Sequence, residues 1–302
     1  MTDEPLRPTE RLFVAVQHLL PQHLLSALMY RVARWRWRPF KDAFIWAFVR
    51  HFRVDMDLAA ESDPRAYPSF NAFFTRALRP GARPLAEDPA ALLCPADGAL
   101  SQLGEVRDGT LLQAKGHGYR ALDLLGGDAE TAAAFAGGSF VTVYLSPRDY
   151  HRVHMPLDGV LKVMTHIPGR LFSVNAVTAR AVPGLFARNE RVVCLFDTSV
   201  GPMALILVGA IFVGSMETVW AGQVTPPPAD RCRGERRSGP GVVRLGRGEE
   251  MGRFNMGSTV ILLLPPGAVT WAQGLGPGDP LRMGQTLGRL NPAPEDPDHG
   301  PA

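Results

Sequence analysis

RVVCLFDTSVGPMALILVGAIFV, residues 191–213, holds two apolar runs, Arg191 to Phe196 and Met203 to Val213, parted by a Gly-Pro step. Short runs rich in Val, Ile, Leu and Phe and bounded by turn residues read as β-strands. The same texture recurs at Phe140 to Leu145, Val242 to Leu245 and Thr259 to Leu264. Between these runs only about Ala121 to Phe135 reads as a helix. The spacing predicts a mostly antiparallel β domain of sandwich or barrel-like form. It begins after Arg79-Pro80-Gly81-Ala82-Arg83-Pro84, which reads as a loop. No internal repeat is present.

Residues 1–80 differ in kind. Leu24, Leu25, Leu28, Met29, Val32 and Trp35 fall on one helical arc, with Arg31, Arg34 and Arg38 on the neighbouring arc. A second helix is predicted from Phe40 to Phe52, with Phe40, Phe44 and Phe48 spaced i, i+4, i+8. Basic residues 31, 34, 36, 38, 41, 50 and 53 face a single acid, Asp42, and Trp35, Trp37 and Trp46 sit among them. Such helices suit the headgroup layer of an anionic membrane. A helical pair packed on the main domain with a solvated basic face accounts for the composition equally well. The fold class expected is therefore α+β: amphipathic helices over 1–80, a β-rich domain over 81–290 and a disordered tail over 291–302. The Pro/Gly/Arg-rich stretch 226–241 reads as a mobile loop.

Composition narrows the function. The 302 residues are 46% hydrophobic and 20% charged, enough for one large core or two modest domains. A net charge of +3 without a dense basic stripe argues against nucleic acid as partner. Cys94, Cys194 and Cys232 are far apart with no CxxC pair, so neither a disulfide framework nor a thiolate zinc site is expected. The first ten residues carry three acids and no basic-then-apolar signal, which predicts a chain kept from secretion. The longest apolar stretch, about Met203 to Met216, falls short of the ~20 residues of a spanning helix.

Four stretches carry chemistry. Cys94-Pro95-Ala96-Asp97-Gly98 offers a carboxylate in a turn setting. LSPRDYHRVHMP (145–156) places His151 and His154 just after a strand, and histidine suits proton transfer near neutral pH. If that segment is extended, residues three apart face opposite ways and serve different tasks. No HExxH or carboxylate cluster supplies a third ligand, so no metal is expected. Gly257-Ser258-Thr259 opens the apolar run 260–264, and it is not a GxSxG elbow. HIPGRLFSVN (166–175) combines turn residues with apolar ones suited to a pocket wall. Asp97, His154 and Ser258 together supply orienter, base and nucleophile of an activated serine. A lipid-directed hydrolase and a membrane-bound scaffold with structural histidines stay open on these residues alone.

PADG (95–98), LSPRDYHRVHMP (145–156), PGRLFSVN (168–175), LFARNERVV (185–193), GPMALILVGA (201–210), ETVWAG (217–222) and EMGRFNMGSTV (250–260) resemble the bacterial phosphatidylserine decarboxylase proenzymes. SFNAFFTRALRPGARP (69–84) is similar to that family too, and the likeness runs from about Leu19 to Leu290. Met256 departs from it, since the family usually has Leu there. The resemblance implies a chain that cuts itself between Gly257 and Ser258. His154, held by Asp97, would take the Ser258 hydroxyl proton, and the oxygen would attack the Gly257 carbonyl to give an ester. Elimination then frees the Gly257 carboxyl, and Ser258 becomes a covalent pyruvoyl cofactor. Glycine at 257 would leave that carbonyl unhindered on a backbone able to strain. The implied reaction is decarboxylation of phosphatidylserine to phosphatidylethanolamine, with His151 as proton donor or positioning group. It also implies a β chain 1–257 with an α chain 258–302, paired into a homodimer. The enzyme would be peripheral on the cytoplasmic face of the inner membrane, bound through Arg31, Arg34, Trp35 and Arg38.

Overall fold

The computed structural model describes residues 6–114, 117–212, 215–226, 236–237 and 242–291. Four N-terminal helices come first: α1 (Pro8–Leu19), α2 (Gln22–Ala33), α3 (Arg38–Phe52) and α4 (Phe70–Phe74). Strands follow as β1 (Ala91–Leu93), β2 (Gly98–Glu105), β3 (Thr110–Ala114), β4 (His117–Arg120), β5 (Ser139–Leu145) and β6 (Arg152–His154). Next come β7 (Gly159–Ile167), β8 (Arg191–Thr198), β9 (Gly201–Val208), β10 (Met216–Thr218), β11 (Gly222–Thr225) and β12 (Arg236–Arg237). The last are β13 (Arg244–Leu245), β14 (Glu250–Phe254), β15 (Ser258–Leu264), β16 (Val269–Trp271), β17 (Pro280–Leu281) and β18 (Thr286–Leu290).

The α+β reading holds. A nine-stranded sheet runs β12-β7-β8-β9-β15-β5-β2-β17, with β13 also on β7, and a four-stranded sheet runs β11-β10-β14-β6. Every strand pair in both is antiparallel, and none of the sheets closes into a barrel. The opening stretch 191–213 is the β8–β9 hairpin, paired from Arg191–Val208 to Thr198–Gly201. Its second strand stops at Val208 rather than 213, because Gly209 follows and Phe212 turns to a φ of 67°. β15 lies between β9 and β5, so all seven of its residues are buried and its sequence is apolar without alternation. The helix expected over 121–135 is two short turns, Ala121–Leu124 and Ala129–Ala133, interrupted where Gly126 and Gly127 take positive φ. The stretch 226–241 and the tail beyond 291 lie almost wholly outside the described residues.

Two apolar clusters form. The larger fills the sheets with residues such as Leu100, Phe140, Phe196 and Ile261. The smaller joins the helices through Ala33, Ile45, Phe48, Tyr67, Phe70, Phe73 and Phe74. Met256, one residue before Gly257, packs against both.

The helices α1 and α2 bury their polar side. Gln17, Gln22, Ser26 and Ala33 are buried, while Leu12, Leu19, Leu24 and Leu28 are 65%, 86%, 68% and 58% exposed. The buried polar groups act as latches: Gln22 Oε1 accepts from Leu171 N at 2.9 Å and Gln17 Oε1 from Ser173 N at 2.7 Å. Phe212 N donates to Ser26 Oγ at 3.1 Å. Such groups are satisfied where they are buried, so the apolar arc predicted for α2 is left facing outward. Among the described residues no single helix is long and apolar enough to cross a membrane, and α1 and α2 meet at a bend of 86°.

Candidate active site

Two chain segments cross from one sheet to the other side by side. β5 ends at Leu145 and leads through residues 146–151 into β6. β14 ends at Phe254 and leads through residues 255–257 into β15. Ser258 pairs with Leu145, and Phe254 N donates to His151 O at 3.0 Å. The Gly257–Ser258 bond therefore lies in the seam between the sheets, beside His151.

Ser258 is fully buried and its Oγ has no hydrogen-bond partner among the described residues. A methyl group at Gly257 would meet only Leu145 O at 3.7 Å and His151 Nε2 at 3.9 Å. Both are ordinary contacts, and Gly257 is not among the glycines at positive φ. Gly257 thus has room on its Cβ side and does not take a left-handed backbone.

His151 is wholly buried, with the Phe74 ring centroid 4.2 Å from its own. Its Nδ1 donates to Asp149 O at 2.8 Å; a carbonyl can only accept, so Nε2 carries the lone pair. Nε2 has no partner. Burial pushes the ring down to about 3, and the charge of Arg76 adds to this against the Asp149 carbonyl. The imidazole is therefore neutral throughout the neutral range. The Asp149 carboxylate is turned away to Ser146 N and Oγ, both at 2.7 Å.

His154 makes different contacts. Nδ1 donates to Gly248 O at 2.8 Å and Nε2 accepts from the Tyr150 hydroxyl at 3.0 Å. Burial raises Tyr150 to about 12 and keeps it a donor. Burial also lowers His154, opposed by the Gly248 carbonyl and by the charges of Glu250 and Asp97. The two rings thus serve separate surroundings, as an extended segment requires.

The expected contact between Asp97 and His154 is not made. Asp97, 6% exposed, accepts from Arg83 Nε at 2.8 and 3.0 Å and from Met283 N at 2.9 Å. A planar guanidinium fork satisfies a short carboxylate better than one imidazole nitrogen. Asp97 still stands close to His154, whose backbone N donates to Pro95 O at 2.8 Å. Cys94, beside this turn, is buried and raised to about 12, so it is no nucleophile.

Sequence reasoning missed Arg83, Arg76, Phe74 and Asn255. Asn255 Nδ2 donates to Ser215 Oγ at 2.6 Å and Glu217 Oε1 at 2.8 Å, and its Oδ1 accepts from Asn71 at 3.1 Å. Asn255 pins the chain two residues before the Gly257–Ser258 bond. An asparagine next to the Gly-Ser-Thr step was the visible signal. Arg83 was hidden in what reads as a loop.

A cavity of about 400 Å³ opens from Gly257 and Met256 past Phe74, Tyr144 and Phe212 to Phe13 of α1. Its lining is almost wholly apolar. Of the membrane residues expected, Arg31, Trp35 and Arg38 are exposed. Arg34 is not free: its guanidinium stacks 3.6 Å from the Tyr30 ring centroid and lies 3.8 Å from Glu217. Lys41 is buried as well, bound to Asp42 and to Arg65 O.

Comparison with known proteins first gives the class, a phospholipid-processing lyase. The family model described as phosphatidylserine decarboxylase matches residues 70–289, and one described as PSD matches residues 12–53. A phosphatidylserine decarboxylase proenzyme of Azotobacter vinelandii is 58% identical over 93% of this chain and 99% of its own length. Those of Ectopseudomonas mendocina and Pseudomonas aeruginosa strain LESB58 are 59% and 58% identical, each over 92% of this chain and 98% and 96% of their own. The chain belongs to the phosphatidylserine decarboxylase family. These names leave the hydrolase reading without support.

Proposed function

We propose that this chain cuts itself between Gly257 and Ser258 and then decarboxylates phosphatidylserine to phosphatidylethanolamine. One observation carries the reading. The Gly257–Ser258 bond, with a buried unpartnered Oγ and a bare His151 nitrogen beside it, borders an apolar cavity walled by residues of α1, α3 and α4. Chemistry on a backbone bond and access for a lipid meet at one point.

Ser258 Oγ attacks the Gly257 carbonyl, and the amide becomes an ester. His154 takes the hydroxyl proton once its Nε2 gives up the Tyr150 hydroxyl, and Asp97 favours the charged ring through its field rather than through a hydrogen bond. Elimination across Cα–Cβ of Ser258 frees the Gly257 carboxylate and leaves a dehydroalanine, which water hydrolyses to the pyruvoyl group with loss of ammonia. The residues present fit a pyruvoyl group at 258: the serine oxygen has no structural duty to lose, and the seam leaves space on the Gly257 side. That group supplies a carbonyl that condenses with the headgroup amine and accepts the electron pair released with CO₂. His151 holds the proton that replaces the carboxylate. The apolar wall leaves the departing carboxylate without solvent, which favours its loss.

The chain docks on the cytoplasmic face of the inner membrane through α1 and α2. Leu12, Leu19, Leu24 and Leu28 enter the headgroup layer while Arg31 and Arg38 meet anionic lipid. Chains 1–257 and 258–302 stay together after the cut.

Intact mass tests the reading. Wild type should give two chains; Ser258→Ala and His154→Ala should stay whole. His151→Ala should be cut, yet release CO₂ about 10²-fold more slowly. A cut Ser258→Ala chain, or an uncut His151→Ala chain, overturns these roles.

A further inference from the structure

Two basic groups near the seam carry polar atoms without a hydrogen-bond partner among the described residues. Arg76 is 4% exposed; its Nη2 donates to Arg148 O at 3.1 Å, but Nε and Nη1 have no partner. The carboxylates of Asp97, Asp149 and Asp55 act on it through their fields, though none lies at ion-pair distance among the described residues. His151 Nε2 is equally unpartnered, and the Arg76 charge adds to burial in keeping the imidazole neutral. Leaving buried polar atoms unpartnered is costly, so the bare Nε2 beside the Gly257–Ser258 bond calls for an explanation.

We propose that the carboxylate released at Gly257 stays beside His151 as the partner its Nε2 lacks, so that the cut makes the buried ring easier to protonate as a proton donor. The inference rests on the self-cleavage reading above. Geometry holds the carboxylate in place. Asn255 is pinned by Ser215, Glu217 and Asn71, so only Met256 and Gly257 are free to move. Two residues reach at most about 7 Å. Met256 itself is packed between both apolar clusters. Within that reach the space on the Gly257 side opens toward His151 Nε2.

The charges work out. The uncut site faces Arg76 from the end of α4 and the Asp149 carbonyl from its own segment. The Asp149 carboxylate is held by Ser146, and Arg152 is held by Glu250 at 2.8 Å and Thr75 O at 3.0 Å. In the elimination the Cβ–O bond breaks, the Cα–H bond yields its proton and its electron pair forms Cα=Cβ. The oxygen leaves as a carboxylate, and the proton passes to His154, which has given the hydroxyl proton to the freed Ser258 nitrogen. One new negative charge then stands beside the His151 ring.

The test is ¹⁵N-histidine NMR of the full-length protein, uncut as Ser258→Ala and processed as wild type, with His151→Gln to assign the signal. In the uncut chain His151 should stay neutral and protonated on Nδ1 from pH 8 to 5. In the processed enzyme its midpoint should rise by about two pH units, the usual effect of an opposite charge at 4–6 Å. Arg76→Gln in the processed enzyme should raise it further. A processed enzyme whose His151 titrates as in the uncut chain overturns the proposal alone. A wild-type chain that stays whole by mass overturns both this proposal and the reading beneath it.

Discussion

Replacing Leu24 and Leu28 with Gln separates the apolar part of membrane docking from the charged part. The two side chains are 68% and 58% exposed, so together about one and a quarter leucines would leave water on docking. At about 1.5–3 kcal/mol per buried leucine this is about 2–4 kcal/mol, or roughly 30-fold or more in vesicle affinity. Both side chains point away from the latches at Gln22 and Ser26, so folding should change by about 0.5 kcal/mol or less. Arg31→Gln with Arg38→Gln should cost about 1 kcal/mol each near an anionic surface, and only at low salt. Flotation with anionic vesicles at two salt concentrations reads both. The leucine variant should lose binding equally at both salts, and the arginine variant mainly at the lower one. Arg34→Gln should bind like wild type, since Arg34 is engaged by Tyr30 and Glu217. Unchanged binding of the leucine variant at both salts would refute the docking argument, because the exposed arc would then face something other than lipid.

Stability of the uncut Ser258→Ala chain should depend on His151. The folded ring sits at about 3 against an ordinary 6.5, so the unfolded chain binds a proton that the folded one excludes. Stability is full above 6.5 and falls as pH falls, by about 2 kcal/mol at pH 5; urea midpoints should show this slope flattened in Ser258→Ala/His151→Gln. Arg83→Gln leaves the buried Asp97 carboxylate without its fork and should destabilise by about 3–5 kcal/mol in thermal unfolding, with Arg83→Lys restoring only part. Gly98→Ala would set a methyl carbon 2.2 Å from the Tyr144 carbonyl oxygen and force β2 from β5, a loss of about 3 kcal/mol or more that soluble yield and melting should reveal.

Periodicity and turn residues made the strands of the large sheet legible. Phe140 to Leu145 and Thr259 to Leu264 are each within a residue of β5 and β15. Helical spacing likewise located α2 and α3. What periodicity could not tell was direction. An apolar arc in a water-soluble fold faces inward by default, but Gln17, Gln22 and Ser26 found backbone partners in residues 171–173 and 212, and those contacts are long-range. The same holds at the site. Ser258, His151 and Gly257 are brought together by two sheet crossings that follow from strand order, which local pattern does not encode. Asp97 was visible as a turn residue; its partner Arg83 depends on a fork geometry that only the folded chain supplies.

The placement of β15 fixes an order of events in the life of the molecule. Val260, Ile261, Leu262, Leu263 and Leu264 are wholly buried between β9 and β5. Five such side chains contribute roughly 7–15 kcal/mol, as much as the net stability of an ordinary domain. The strand must be in place before the seam exists, so folding precedes the cut. Once cut, the short chain is the middle of a sheet and cannot depart without dismantling it. Refolding would then need two separate chains to meet, and it becomes dependent on concentration. Under the proposed cut, processing would act as a one-way step: the separated chains could refold only by meeting again, whereas the uncut chain folds alone.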